Sequence, residues 1–417
     1  MNPVLVAVGV ALLAAFAALG VLAGEGEEAE PDSPPGASLE QVTAQVEEVA
    51  RGVERVRELE FDRVPRVRLV GAEEAARGNL REIDRYVSPR ELRIEERLLK
   101  TLGLLPRGVG LRDVIGDALS EEIAGYYVPR TRMLALVRGV GLEGLLGEIT
   151  LAHELTHALE DQRFGIKPHG SSGFLRDRAV AASALHEGTA TVAMVDYLAM
   201  SQGAGDELPP GVRSQALEQL EAVNVPASSG LPRYVRESFV FPYTAGARLV
   251  DHIESRDGWA AVDQAFEEER PASTEQVMHP RKYDSGERPV RVRLRGHRAE
   301  LPKGTRAVAR GDIGEFDTGQ FLHEANGRRR SDEAAAGWGG STFELWRLPR
   351  GGDLLVMAWA WDTRRDAAEF AAAARRSVSR LPGAGAVSGG KGGAVAVVLA
   401  PEASLARRMA RQLASTR

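Results

Sequence analysis

Cysteine is absent from this chain: none of its 417 residues is one. The absence excludes a disulfide framework, a thiol nucleophile and a membrane anchor attached to a lipidated cysteine. It also excludes the zinc sites that are built from thiolates. Any transition metal that this chain binds must therefore be held by histidine and carboxylate side chains.

The chain also lacks an excess of basic residues. Lysine and arginine number 53 against 59 acidic residues, which gives a formal net charge of −6. Because proteins that bind nucleic acids usually carry a basic surface, we expect no nucleic-acid partner. The apolar fraction of 43% and the charged fraction of 27% are ordinary for a globular protein.

Charge is missing altogether from the segment between Pro3 and Gly24. About 20 apolar residues can cross a bilayer as a helix, so the segment can be a membrane anchor. It can also be a cleaved signal peptide, since Val21-Leu22-Ala23 is an acceptable cleavage site, although Met1-Asn2-Pro3 lacks the usual basic residue. Either alternative predicts a body outside the cytoplasm, held at the cell membrane by this helix if it is uncleaved, or secreted.

Composition and pattern divide the chain into four segments. An acidic stretch rich in proline and glycine follows the apolar segment and predicts a flexible linker. Helical periodicity dominates as far as residue 284, although a loop-like stretch around Pro242 leads into a shorter helix that ends at Ile253. Beyond residue 284 strand and helix patterns alternate, and they predict a strand at 290–295 and a helix at 320–336. We predict an α+β fold with an anchor or signal peptide at 1–24, a linker at 25–38, a mainly helical principal domain at 39–284 and an α+β C-terminal domain at 285–417.

The apolar run Ile149–Leu159 contains the pattern His-Glu-x-x-His. On a helix, His153 and His157 lie on one face and can bind one metal ion, and Glu154 is near enough to reach a water on that metal. Two neutral imidazoles and a general base on one rigid helix suit a zinc site that activates water. The alternative is an ordinary buried helix that happens to contain two histidines.

A catalytic zinc site needs a third protein ligand and keeps one position open for water. We predict Glu187 as this ligand, within a second helical stretch from about Leu175 to Met200, and His186 is the neighbour that competes with it. Gly188 costs about 1 kcal/mol in a helix relative to alanine. That cost predicts close packing of this helix on another one, which would suit a helix laid against the histidine helix.

Two β-rich runs around the turn Pro129–Arg132 predict a hairpin directly before the histidine helix. Such a strand can pair with the extended backbone of a peptide substrate, or it can only pack the core. Two further residues are candidates to stabilise a developing oxyanion. Tyr243 can be such a donor or a buried packing residue, and His279, which precedes a proline, is expected outside a helix interior.

The pattern from His153 to Gln162, with Glu187-Gly188-Thr189-Ala190 downstream, resembles the gluzincin superfamily of zinc metallopeptidases. More closely, the chain is similar to a group of exported, largely uncharacterised bacterial proteins of that type. Their Ser-Thr-Glu-Gln-x-x-His-Pro-x-Lys-Tyr motif is matched by Ser273–Tyr283, and later stretches fit at Ala334–Gly340 and Trp361-Asp362. The resemblance runs from roughly residue 40 to residue 380.

This resemblance implies His153, His157 and Glu187 as zinc ligands and Glu154 as general base. It also implies a zincin-like helical lobe with a small antiparallel sheet at the edge of the cleft. The chain departs from the pattern at Thr191, where better-studied gluzincins often carry an acid that orients a zinc-binding histidine. Asp161, Asp196 or a backbone carbonyl would have to replace that acid.

The expected function is zinc-dependent hydrolysis of peptide bonds, with a peptide or protein as substrate. An aminopeptidase of the same superfamily is one alternative, and it would need an acidic anchor for the substrate amine. The other is a non-catalytic, metal-stabilised envelope protein whose C-terminal domain binds a partner. Glu154 argues against the latter, since a structural metal site has no use for a base beside its ligands.

Overall fold

The computed structural model describes residues 38–121, 125–138, 144–165, 177–203, 211–222, 230–389 and 393–415. The predicted anchor or signal peptide at 1–24 and all but the last residue of the predicted linker lie outside these ranges. Within the described ranges, every helix is too short or too polar to cross a bilayer.

The first half of the described chain is mostly helical and contains three short strands. Its elements in chain order are α1 Leu39–Arg57, β1 Arg66–Val70, α2 Ala72–Tyr86, α3 Pro89–Leu102, α4 Leu111–Glu121, β2 Gly125–Val128, β3 Met133–Val137, α5 Gly144–Phe164, α6 Asp177–Ser201, α7 Val212–Ala222, α8 Arg233–Asp257, α9 Trp259–Glu267, α10 Thr274–Met278 and α11 Pro280–Asp284.

The second half combines a sheet with helices. After a 3₁₀ turn at His297–Glu300, its elements are β4 Arg306–Gly311, α12 Glu315–Asn326, α13 Arg328–Ala335, β5 Trp338–Arg347, β6 Asp353–Trp361, α14 Arg364–Arg380, β7 Ala384–Gly389, β8 Val395–Ala400 and α15 Ala403–Ser415. The predicted α+β fold class is confirmed.

The small sheet of the first half has the strand order β1-β3-β2. Strands β2 and β3 form the predicted antiparallel hairpin, and β1 pairs with β3 in parallel. A parallel pair needs a long crossover, which the helices α2 to α4 supply here. The sheet is therefore mixed, and β2 is an edge strand.

Helix α1 covers the back of the histidine helix α5. Its apolar stripe is buried together with residues of α5 that recur every four positions: Val42, Val46, Val49 and Val53 on α1, and Leu151, Leu155 and Leu159 on α5. His153 and His157 each follow one of these leucines by two residues, which places them on the opposite side of α5. The leucine packing therefore turns the histidines away from α1.

Helix α6 packs on the histidine helix α5, as expected, and also crosses helix α8 closely at Gly188. A Cβ atom on Gly188 would overlap the backbone of Gly246, and one on Gly246 would overlap the carbonyl oxygen of Ala184. Each glycine thus allows the two helix backbones to touch. Gly188 thus marks a close crossing of α6 with α8, beside the predicted packing of α6 on α5.

Helix α8 also differs from its prediction, in which a loop around Pro242 led into a shorter helix. It continues through Pro242 as one helix of 25 residues. Proline usually interrupts a helix because it lacks an N–H group. Here Phe239, Phe241 and Tyr243 are all buried around it, so tertiary packing overrides the local preference.

The second half is built on an antiparallel sheet with the strand order β4-β5-β6-β8-β7. Helix α14 packs on one face and α15 on the other, because alternate residues of the central strands point to opposite sides. The strand predicted at 290–295 is not formed, since β4 occupies the edge of β5 and the segment is largely exposed. The helix predicted at 320–336 is interrupted at Gly327, which has a positive φ of 75°.

Buried residues of both halves belong to one contiguous hydrophobic cluster, which extends from Val70 to Leu399. Packing therefore continues across the boundary predicted at residue 285. The division into two domains stays a prediction.

Candidate metal centre

Helix α5 presents two histidines to one point. His153 and His157 are one helical turn apart, each is only 3% exposed, and their Nε2 atoms lie 3.2 Å from each other. The arrangement suits two nitrogen ligands of a single ion.

Glu187 on α6 completes the group. Its Oε2 atom lies 3.3 Å from Nε2 of His153 and 3.2 Å from Nε2 of His157. Ligands at about 2.0–2.1 Å from a tetrahedral zinc ion are about 3.3 Å apart. The two nitrogens and the carboxylate oxygen thus have both the chemistry and the separations of three zinc ligands.

His186, the competing candidate, points elsewhere. Its Nδ1 atom lies 2.9 Å from Oε2 of Glu160, and its ring packs edge-on against Phe266. Of the two neighbours, the structure brings Glu187 to the histidine pair.

The charge of Glu187 matches a ligand role. Burial by itself would raise the pKa of this carboxyl, but His157 and His153 outweigh that effect and lower the pKa to about 2. The carboxylate is therefore ionised at neutral pH.

Glu154 is held beside this group by the edge strand β2. Its Oε2 atom accepts a hydrogen bond of 2.8 Å from the backbone N–H of Tyr127. Tyr127 is fixed at its other end as well, because its hydroxyl donates to Asp161 at 2.9 Å. Burial raises the pKa of the Glu154 carboxyl above its ordinary value, which makes it a stronger base than an exposed glutamate.

The hairpin thus orients the candidate base. The outward N–H of Tyr127 is already used by Glu154, so this group is engaged within the protein. Pairing of the hairpin with a substrate backbone stays a prediction.

Tyr243 lies at the same centre. Its ring stacks on His153, with the centroids 5.8 Å apart and the planes at 24°, and its hydroxyl is hydrogen-bonded to Glu187. Only 1% of Tyr243 is exposed, and burial raises the pKa of its hydroxyl well above the ordinary value, so it remains a neutral donor. The crossing at Gly188 and Gly246 brings it there, because Gly188 directly follows Glu187 and Gly246 lies one helical turn after Tyr243.

His279 is not brought to this centre by any described contact. It stands between α10 and α11, and its Nε2 atom lies 2.8 Å from Oε1 of Glu315. Its side chain is 40% exposed, whereas the metal-binding candidates are buried. A catalytic role for His279 stays a prediction without support from these contacts.

The Ser273–Tyr283 motif ties the two halves of the chain together. Thr274 donates to Asp177 at the start of α6 through both its N–H and its hydroxyl. Lys282 donates to Glu275, Glu287 and Asp362 at 2.5–2.8 Å. Those three carboxylates could hold a cation, but the lysine ammonium already provides one.

Asp161 and Asp196, the two acids expected to orient a histidine ligand, are engaged elsewhere, and so is Thr191, which stands where such an acid is usual. Thr191 donates to the backbone carbonyl of Glu187, Asp161 accepts from Tyr127, and Asp196 binds Arg213. Sequence reasoning missed Glu160, whose Oε2 atom lies 3.8 Å from Nδ1 of His157. The available signal was its position three residues after His157, where helical side chains are neighbours.

Comparison with known proteins bears only on the C-terminal region. The profile of a family described as a domain of unknown function (DUF8575) matches residues 300–413. No curated protein and no solved structure matches the chain. The matched segment contains none of the residues of the metal centre.

Proposed function

We propose that this protein is a zinc-dependent peptidase that hydrolyses peptide bonds outside the cytoplasm. The observation that carries the proposal is the triangle of His153, His157 and Glu187, whose ligand atoms are 3.2–3.3 Å apart, with Glu154 beside it. The uncharged segment at 1–24 supports export. A three-ligand site with an adjacent carboxylate base is the arrangement used for hydrolysis.

When bound, zinc supplies an activated water and polarises the scissile carbonyl. The protein's own contribution begins with Glu154. Its Oε2 atom is occupied by the N–H of Tyr127, so Oε1 is the oxygen that takes the proton of the attacking water. Glu154 then passes this proton to the nitrogen of the leaving amine.

Tyr243 contributes a neutral hydroxyl next to the ligand carboxylate. In the described structure this hydroxyl bonds to Glu187, and its raised pKa keeps the proton on oxygen. A donor of this kind can stabilise the negative charge that develops on the carbonyl oxygen.

A purely structural metal site is the less well supported alternative. Structural zinc sites usually have four protein ligands, whereas catalytic sites have three. Within the described ranges, three side chains converge at this point. Glu154 is also buried beside them, where an ionisable group that did no chemistry would be costly.

Two substitutions test the proposal. The wild-type protein should carry about one zinc per chain, as a single three-ligand site implies. Glu154→Gln should keep the zinc and lose at least about 100-fold in hydrolysis of a diverse peptide library, because the general base is removed. Glu187→Ala should lose most of the zinc.

Glu148→Gln is the matched control, since it makes the same change on the same helix away from the ligands. It should retain both zinc and hydrolysis. A Glu187→Ala protein that binds zinc as tightly as wild type would show that the third ligand is wrong. A fully zinc-loaded wild type that cleaves no library member would favour the non-catalytic alternative.

A further inference from the structure

Helix α5 carries a second buried carboxylate that the proposed mechanism does not use. Glu160 is three residues after His157 and only 1% exposed. Burying a charged carboxylate is unfavourable unless other groups compensate it. Its neighbours should therefore explain why it is there.

Two imidazoles lie within 4 Å of Glu160, and the guanidinium of Arg270 also interacts with it electrostatically. The Oε2 atom of Glu160 lies 2.9 Å from Nδ1 of His186 and 3.8 Å from Nδ1 of His157. His157 Nδ1 is buried and, among the described residues, has no hydrogen-bond partner within ordinary reach. A side-chain movement of about 1 Å would bring it into hydrogen-bonding distance of Glu160.

A histidine that binds metal through Nε2 must carry its remaining proton on Nδ1. That N–H usually donates to a carboxylate or a carbonyl, which fixes the orientation of the ring and makes the ligand more basic. Glu160 is the carboxylate facing Nδ1 of His157. Thr191, at the position where such an acid was expected, is bonded to a backbone carbonyl instead.

We propose that Glu160 positions His157 by accepting a hydrogen bond from its Nδ1–H, and that His186 holds Glu160 in place by donating a hydrogen bond from its own Nδ1–H. The orienting acid thus sits on the helix of the two histidines, three residues after the second, and not on the helix of Glu187. The proposal rests on the metal centre of the proposed function. It assigns positioning roles to two residues that touch no substrate.

A simple stabilising ion pair between Glu160 and His186 is the competing explanation, and metal affinity separates the two. An ion pair that only stabilises the fold would change the melting temperature of the metal-free protein and leave zinc affinity unaltered. A positioning carboxylate changes zinc affinity, typically about 10- to 100-fold when it is removed. Both quantities can be measured without any activity assay.

The first experiment measures zinc affinity by competition with a chelator, together with the visible spectrum of the cobalt-substituted protein. Glu160→Gln should weaken zinc binding by about 10- to 100-fold and alter the cobalt spectrum, because an amide is a poorer acceptor for the Nδ1 proton. Glu148→Gln, the same change on the same helix, should match wild type in both measurements. Wild-type zinc affinity and an unaltered spectrum in Glu160→Gln would overturn the proposal.

A second pair of variants decides the matter if Glu160→Gln does not fold. His186→Asn retains a side-chain N–H near the position of Nδ1, whereas His186→Leu removes it. The asparagine variant should bind zinc more tightly than the leucine variant, by about 10-fold. Equal affinity in both would refute the role of His186.

Failure of the proposed function gives a different result. If the wild-type protein cleaves no member of the peptide library but the variants show the predicted order of zinc affinities, the proposed function fails and the positioning role of Glu160 stands. A wild-type protein that binds no zinc overturns the metal centre and the positioning role together.

Discussion

Replacing Gly246 with alanine tests the contact that brings α6 and α8 together. In an exposed helix, this substitution stabilises by about 1 kcal/mol because alanine loses less backbone entropy. At Gly246 the new methyl carbon would overlap the carbonyl oxygen of Ala184 and lie 2.8 Å from its carbonyl carbon and 3.1 Å from its Cα. All three obstacles are backbone atoms, so no side chain can rotate away.

The magnitude follows from these distances. Carbon atoms in contact are normally about 3.5–4.0 Å apart, so the helices must separate by about 1 Å at this point. Overpacking of this kind costs about 1–3 kcal/mol and sometimes more. Because rigid backbone opposes the methyl group, we expect Gly246→Ala to lower the free energy of unfolding by about 2 kcal/mol despite the gain in helix propensity.

Urea unfolding of the metal-free protein measures this change, and Gly116→Ala is the matched control. Gly116 lies inside helix α4, and the nearest atom to its added Cβ is a leucine methyl at 3.9 Å. The control should be stabilised by up to about 1 kcal/mol, so the two substitutions should have opposite signs. If Gly246→Ala were as stable as wild type, the close approach of α6 and α8 would be refuted.

Three further substitutions have defined outcomes. Burial raises the pKa of Asp317 to about 8, so the folded state keeps a proton that the unfolded state releases near 3.8. The free energy of unfolding should therefore fall as pH rises between these two values. The melting temperature of Asp317→Asn should fall less than that of wild type over the same pH range, because the amide does not titrate. If the melting temperature of Asp317→Asn depended on pH as that of wild type does, Asp317 would not be the cause of the pH dependence. Tyr243→Phe should keep its zinc and lose about 100-fold in hydrolysis if the hydroxyl stabilises the oxyanion, whereas full hydrolysis would leave Tyr243 as a packing residue. His279→Gln should lower the melting temperature but keep zinc affinity and hydrolysis. A loss of hydrolysis with unchanged zinc affinity would instead support a catalytic role for His279.

The residues of the site that could be predicted from the sequence are those whose positions depend on spacing within a single helix. The convergence of His153 and His157 follows from four residues of separation on any regular helix. The selection of Glu187 over His186 required the rotation of α6 about its axis, which sequence periodicity describes poorly here because the helix is buried on all sides. The neighbouring Glu-Gly pattern indicated it nonetheless.

The errors have a common physical cause, which is contact between elements distant in sequence. Pro242 was read as a break because local rules exclude proline from helices, whereas buried aromatic residues hold α8 together around it. The parallel pairing of β1 with β3 depends on a crossover that no local pattern specifies.

The residues around the centre were the hardest to predict. Asp161 and Asp196 were reasonable partners for a histidine ligand because both lie near the ligands in sequence. Tyr127 and Arg213 bind them instead, and each of these contacts depends on the packing of separate elements. Glu160 was accessible from helical spacing alone, but the resemblance directed attention to position 191.

The anchoring of α6 at Asp177 has a consequence for the order in which the protein matures. A chain that leaves the ribosome or a translocation channel as far as residue 270 already contains both histidines, Glu154, Glu187 and Tyr243. It does not yet contain Thr274, whose N–H and hydroxyl both donate to Oδ1 of the buried Asp177 at the start of the ligand helix. Nor does it contain Phe316, whose ring packs against that of Phe241 on α8, with the centroids 4.2 Å apart. All the proposed ligands are therefore synthesised before the residues that fix α6 at Asp177 and pack on α8, so these contacts form only after the ligand residues have emerged.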